Sequence, residues 1–390
     1  MKHFHTIIYR SNRLYKMSVY IIEAKRTPIG SLLGQFSSFS AIDLGVECLK
    51  KITNKNKVEE MIIGCVLSAG LGQSLCKQIA IKSGLSNINC VNVNKICGSG
   101  MKSLAMLVDS ILLKNINCGI AGGVESMTNT PFLSKSRLEH KYGDSILYDS
   151  IILDGLKDPY TNLSMGELAE KIAFDKNITR EMQDEYTIQS VLKTLNGLKN
   201  NIFEDEITPV NNIKTDEKPL KIKIDNIRSL KPIFSKTGTI TAASSSSLSD
   251  GASIICLASE KYILKEKIIP LAKIISYSSY SGEPSLFASS PIYSIEKLLS
   301  DNNWSIDDID LFEINEAFAI VPIIVMKHLN IPISKLNING GLALGHPLGS
   351  SGCRIVVSLL YSLKLKKLKR GIAAICIGGG ESMAIAIEIV

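Results

Sequence analysis

Val91-Asn92-Val93-Asn94 runs into a small-residue turn, a helical stretch and then Gly122-Gly123-Val124-Glu125-Ser126-Met127. In the second half of the chain, Leu336-Asn337-Ile338-Asn339 runs into another such turn, another helical stretch and Gly379-Gly380-Glu381-Ser382-Met383. Two short matches in one order and at similar spacing point to duplication of an α/β unit. Both halves alternate β-branched runs with amphipathic helical patterns. Residues 59–66 and 309–314 read as buried strands. Residues 371–376 and 383–388 flank a glycine-rich bend and read as a strand pair. Strands alternating with helices predict sheets layered between helices.

The character changes between residues 128 and 243. That stretch is polar and helix-rich, with Thr179-Arg180-Glu181-Met182-Gln183-Asp184-Glu185 as a helix start, and it reads as an insertion carried by the first half. Ser244-Ser245-Ser246-Ser247 precedes Leu248-Ser249-Asp250-Gly251-Ala252, a setting that favours an ordered loop over a low-complexity linker. The expected division is an appended basic segment at 1–16, a first half at 17–127 and 244–272, the insertion at 128–243, and a second half at 273–390.

With 390 residues, 45% hydrophobic and 21% charged, the chain has the material for a large core and the balance of an ordinary globular protein. Its longest apolar run, residues 318–326, is too short to span a bilayer and contains Pro322, so no membrane span is expected. The net charge of +7 is that of a lysine-rich solvated surface, or of one that attracts an acidic substrate. Its densest cluster, Lys364, Lys366, Lys367, Lys369 and Arg370, lacks interleaved aromatics and reads as the end of a helix, so no nucleic-acid partner is expected. Nine cysteines occur singly, with no Cys-x-x-Cys pair and no metal-ligand spacing. They point to free thiols in a reducing compartment, with Cys65, Cys256 and Cys353 as core filler. Residues 1–16 carry Lys2, Arg10, Arg13 and Lys16 and no acid, which suits a mitochondrial presequence or an unused upstream start before Met17.

Four residues beside turn formers carry the chemistry. Cys97 follows a strand and precedes Gly98-Ser99-Gly100 and a helix, so the positive helix end is expected to lower its pKa. Alone, such a cysteine is structural more often than catalytic; its partners reverse that. His346, in Gly345-His346-Pro347-Leu348-Gly349, is fixed in a tight turn just before a helix and can take the proton of a cysteine nucleophile. His3, His5, His140 and His328 have no comparable setting. Cys376 precedes Gly378-Gly379-Gly380, whose unobstructed N–H groups suit an oxyanion, and a second thiol can act as the acid–base group. Asn315, in Asn315-Glu316-Ala317-Phe318, follows a strand and reads at its simplest as a helix N-cap.

In this order across nearly the whole chain, these motifs resemble the thiolase family, most closely its acetyl-CoA acetyltransferase branch. The resemblance implies a duplicated, layered αβαβα fold of the α/β class with an inserted loop domain that helps bind coenzyme A. It implies an acyltransferase that joins two acetyl-CoA reversibly into acetoacetyl-CoA and CoA through an acetyl-Cys97 intermediate. Coenzyme A is then substrate and product, and no cofactor or metal is expected. Cys97, His346, Cys376, Asn315 and Gly378 carry over as catalytic. The N–H groups of Cys97 and Gly378 would form one oxyanion hole; His346 and a water held by Asn315 would form the other. Glu316 would support the site. Met165, Phe234, Ala242, Ser246 and Phe318 would contact the acyl chain or the pantetheine arm. A homo-oligomer, dimer or tetramer, is implied, with residues 127–154 matching a region used in tetramer assembly, and the compartment is cytoplasmic or mitochondrial.

The chain departs from the family pattern at several points. Ser164 stands where a histidine is usual, the turn at 340–345 is shorter, Lys77 and Ser244 replace a common arginine and asparagine, and Glu381-Ser382 replaces small residues. These keep open a degradative 3-ketoacyl-CoA thiolase acting on longer chains, or an impaired relative that binds acyl-CoA. A decarboxylating ketoacyl synthase would normally use a second histidine in place of Cys376. The glycine runs lack the Gly-x-Gly-x-x-Gly spacing of a dinucleotide site.

Overall fold

The computed structural model describes residues 18–53, 57–134 and 142–390. The basic stretch 1–16, Met17 and His140 lie outside the described residues. The strands are β1 (Val19–Arg26), β2 (Gly30–Ser31), β3 (Glu60–Gly64), β4 (Asn89–Val93), β5 (Cys118–Ser126), β6 (Phe132–Leu133), β7 (Tyr148–Asp149), β8 (Ser249–Ser259), β9 (Ala272–Ser281), β10 (Leu311–Ile314), β11 (Arg370–Ile377) and β12 (Glu381–Ile389). The α-helices are α1 (Ala41–Leu49), α2 (Leu75–Lys82), α3 (Ser99–Leu112), α4 (Met165–Asp175), α5 (Arg180–Lys199), α6 (Glu260–Glu266), α7 (Ser290–Asn302), α8 (Ile320–Leu329) and α9 (Leu348–Lys366).

Duplication is visible in the strand order. The first half runs β4-β3-β5-β8-β1, with β3 parallel to β4 and β5 and β8 antiparallel to β5 and β1. The second runs β10-β11-β12-β9 with the same pattern of directions. A parallel bridge from Phe312 to Leu336 supplies the counterpart of β4. The segment 336–339 makes only that bridge. Asn337 there adopts φ 42° and turns its side chain onto the backbone of Ile314, which ends the pairing. The two halves meet where β1 pairs with β9 over Val19–Ile21.

One sequence match is out of register with the fold. Gly122-Gly123 lie inside β5, whereas Gly379-Gly380 form the turn between β11 and β12 at φ 87° and 80°. Ladder pairing places Gly123 opposite Gly64 and Ala374 opposite Ile314, so β11 itself is the counterpart of β5. The repeat is one of topology, and its second glycine match is local coincidence.

Apolar periodicity places the layers. One buried cluster joins α3 and α9 to the facing sides of both half-sheets, through Leu104, Leu107, Val356 and Leu359 against Ile255, Leu257, Ile375 and Ile385. Helices α1 and α2 cover the outer face of the first half, and α7 and α8 cover that of the second. Five layers result, helix–sheet–helix–sheet–helix. The central crossing is tight: a Cβ on Gly123 would lie 1.9 Å from the carbonyl oxygen of Gly349, so only glycine fits.

The insertion starts with the β6–β7 ribbon and continues through α4, which Ser164 caps, and α5, which Thr179 caps. A buried guanidinium ties it to the core. Arg26, at the end of β1, donates Nε to Glu206 at 2.6 Å and Nη1 and Nη2 to Asp216 at 2.8 and 3.0 Å. Residues 244–247 are ordered: the Ser244 hydroxyl accepts from Thr241 N–H, and the Ala319 N–H donates to the Ser244 carbonyl. Among the described residues no helix is long and apolar enough to cross a membrane.

Candidate active site

Strand ends and helix starts converge on one cavity. Between β4 and α3 the chain makes a strained turn in which Ile96, a β-branched residue, takes φ 46°. Local hydrogen bonds hold that strain. The Asn94 side chain accepts from Ile96 N–H at 3.0 Å, and the Ser99 hydroxyl accepts from Lys95 N–H and donates to the Ile96 carbonyl. Cys97 follows on this bend, two residues ahead of α3. Across the cavity, β11 delivers Cys376 and the following turn delivers Gly378.

The cavity has a volume of about 530 Å³ and a largely apolar wall. Cys97, His346, Cys376 and Gly378 line it, and so do Met165, Phe234, Ala242, Ser246 and Phe318. The Phe318 ring packs edge-on against Phe234 and Phe287, with centroids 5.9 and 6.2 Å away. Asn315 is not part of the wall. It lies buried just past the end of β10, with its N–H bonded to the Ala374 carbonyl. Nor is it a helix cap, since α8 begins at Ile320 with Ala319 before it.

Hydrogen bonding settles the state of the imidazole. The Ser351 hydroxyl donates its one proton to the Pro347 carbonyl at 2.9 Å and lies 2.6 Å from His346 Nδ1. With its proton on that carbonyl it accepts from Nδ1–H, which leaves the Nε2 lone pair free. Nε2 has no partner among the described residues. Burial, and then the nearby Arg354 charge, push the His346 pKa down to about 3, so the ring is a neutral base at physiological pH.

The expected lowering of the Cys97 pKa is not what the structure shows. Loss of solvation pushes the thiol up to about 12, although the backbone N–H groups of Gly378 and Cys97 itself draw it back. One helix end cannot offset an apolar wall. The resting pair is thiol and imidazole rather than thiolate and imidazolium. The same two N–H groups are those a tetrahedral oxyanion on Cys97 would use. Cys376 is raised further, by burial and then by its neighbour Cys97, so once deprotonated it is a strong base.

Supporting residues explain how the departures are absorbed. Glu316 accepts hydrogen bonds from the Tyr186 hydroxyl at 2.5 Å, the Ser190 hydroxyl at 2.6 Å, Asn337 Nδ2 at 2.6 Å and the Leu342 N–H. It thus clamps α5 of the insertion to the shortened 340–345 turn. Gly345, at φ 105°, then brings His346 to the cavity, where its N–H meets the Ser247 carbonyl. Ser164 lines the cavity, but its hydroxyl serves α4 in a capping box with Glu167. The Lys77 ammonium bonds the carbonyls of Ser86 and Ile88, and Glu381 pairs with Lys95 beside the Cys97 bend.

Sequence reasoning missed Ser351, Arg354, Glu125, Ile96 and Lys218. Glu125, fully buried, accepts from the N–H groups of Val66, Leu67 and Gly349 and so fixes the start of α9. Among the described residues Lys218 is the one lysine or arginine in the cavity wall. Ser351 had a signal, a hydroxyl in the first turn of the helix after His346; the others are known only by contact. Among the described residues no group of three or more His, Cys, Asp or Glu is placed to hold a metal ion.

Two cysteines, a neutral imidazole and paired backbone donors around one apolar cavity define a cysteine-dependent acyltransferase. The Thiolase, N-terminal domain model matches residues 19–261 and the Thiolase, C-terminal domain model residues 268–389, so the chain belongs to the thiolase family. It is 42% identical over 388 residues to a protein of Dictyostelium discoideum named "probable acetyl-CoA acetyltransferase", covering 95% of this chain and 94% of that one. It is 40% identical over 393 residues to the acetyl-CoA acetyltransferase of Saccharomyces cerevisiae, covering 95% and 99%. The crystal structure of Acat5 thiolase from Ascaris suum in complex with coenzyme A superposes with a TM-score of 0.91 at 39% identity, covering 96% and 100%.

Proposed function

We propose that this enzyme interconverts two acetyl-CoA with acetoacetyl-CoA and CoA. The observation that carries the reading is the placement of Cys97 and Cys376 in one cavity with a neutral His346 whose Nε2 is unengaged. Relatives of nearly the same length, named for that reaction, support the substrate.

The residues divide the steps between them. His346 Nε2 takes the Cys97 proton, and the thiolate attacks the thioester carbonyl while the N–H groups of Cys97 and Gly378 hold the oxyanion. Collapse expels CoA, which leaves with the Cys376 proton, and acetyl-Cys97 remains. The Cys376 thiolate then removes a proton from the methyl carbon of a second acetyl-CoA. The enolate oxygen is met by the Nε2–H of His346 and by a water held by the amide of Asn315, and its carbon attacks the acetyl group. Cys97 leaves as thiolate and recovers its proton from His346, which restores every group. Met165, Phe234, Ala242, Ser246 and Phe318 would hold the acyl and pantetheine portions against the apolar wall.

A homo-oligomer goes with this reading. Phe132 of β6, and Ile146 and Leu147 just before β7, are exposed, apolar side chains suited to contact with a second copy.

CoA-dependent cleavage of acetoacetyl-CoA, measured beside a long-chain 3-ketoacyl-CoA, tests the proposal. Preference for acetoacetyl-CoA supports it. Preference for the long chain would move the protein to the degradative branch, and cleavage of neither by folded protein would refute both.

A further inference from the structure

Helix α9 carries Ser351, which fixes His346, and three residues later Arg354, which is 3% exposed. Nη2 of Arg354 donates to Asn315 Oδ1 at 3.4 Å. Its Nε and Nη1 have no partner among the described residues, and no carboxylate closes an ion pair with it. Glu313, Glu206 and Glu316 attract this charge from a distance, and Arg26 repels it. A buried guanidinium so poorly paired is costly, and an apolar side chain of the same volume would serve packing better. Its one directed bond reaches an amide expected to act in catalysis.

That bond has a chemical consequence. An amide flipped by half a turn would set its NH₂ group against the guanidinium, donor facing donor. With Oδ1 held by Arg354, Nδ2 is the free end, and it has no other partner among the described residues. We propose that Arg354 is a positioning residue that sets the Asn315 carboxamide with its donor end toward the water of the enolate's oxyanion hole. The inference rests on the thiolytic reading above. It separates two half-reactions. Exchange of acetyl between Cys97 and free CoA uses the oxyanion donors of Cys97 and Gly378; carbon–carbon cleavage also uses Asn315.

The test is Arg354→Met, assayed for exchange of labelled CoA into acetyl-CoA and for acetoacetyl-CoA cleavage. Exchange should stay within about threefold of the parent while cleavage falls about 100-fold, the scale of losing one oxyanion donor. In an Asn315→Ala background the Arg354→Met change should add no further loss, because the arginine acts through that amide. Equal loss in both assays, multiplicative loss in the double variant, or full cleavage activity would overturn the proposal. If Arg354→Met does not fold, Arg354→Lys retains the charge and should show the same split to a smaller degree; a proportional drop in both assays would overturn the inference. A parent enzyme that performs neither reaction would instead remove the thiolytic reading itself.

Discussion

Ser351→Ala isolates the control of the His346 tautomer. In the native site the hydroxyl accepts Nδ1–H at 2.6 Å and passes its own proton to the Pro347 carbonyl. Alanine leaves Nδ1–H buried without an acceptor, at a cost of about 1–3 kcal/mol. Nδ1–H then loses its advantage over Nε2–H, and an Nε2–H tautomer cannot accept the Cys97 proton. If the full penalty shifts the tautomer balance, the competent fraction falls about 5- to 150-fold, at about 1.4 kcal/mol per factor of ten. The acetoacetyl-CoA thiolysis rate should fall by that factor, with KM little changed because Ser351 does not line the cavity. Iodoacetamide alkylation of Cys97 should slow in parallel. Turnover within twofold of the parent would refute the tautomer argument. So would a loss explained wholly by a lower melting temperature.

Three further outcomes follow from the same geometry. With the Cys97 thiol pushed up to about 12 and His346 down to about 3, alkylation of Cys97 in the free enzyme should climb steadily from pH 7 to 10; a plateau below pH 7 would show a preformed ion pair instead. Glu316→Ala strands four buried donors and should cost about 3 kcal/mol or more in denaturant unfolding, with Glu316→Gln losing less because one acceptor oxygen remains. An Ala variant as stable as the parent would remove the clamp. Ser164→Ala should cost about 1 kcal/mol through loss of the α4 cap and leave turnover within about threefold. A large change in chain-length preference at unchanged stability would show that Ser164 acts on substrate rather than on the helix.

Local patterns in the chain were sufficient for the repeat of strand, turn and helix, the presence of β3, β10, β11 and β12 to within two residues at each end, the start of α5 at Thr179, and the turns that carry Cys97, His346 and Cys376. These depend on side-chain periodicity, on glycine and proline at bends, and on caps within a few residues of what they cap. The glycine runs misled at one point for the same reason: Gly122-Gly123 and Gly379-Gly380 look alike locally, and only ladder pairing shows one inside a strand and the other in a turn.

Tertiary structure decided everything that depends on burial or on partners far apart in the chain. Whether Cys97 is thiol or thiolate turned on the apolar wall raised around it by residues from 96 to 378, which outweighs the helix end beside it. Glu316 became a clamp only because α5 folds back to bring Tyr186 and Ser190 to it, and Arg354 met Asn315 only because α9 crosses behind β10. The sequence alone determined the kind of chemistry, since the reacting atoms and the turns that present them are local. The protonation states and the orientation of the Asn315 amide were decided by the packed interior, because desolvation and long-range hydrogen bonds exist only once the layers have closed.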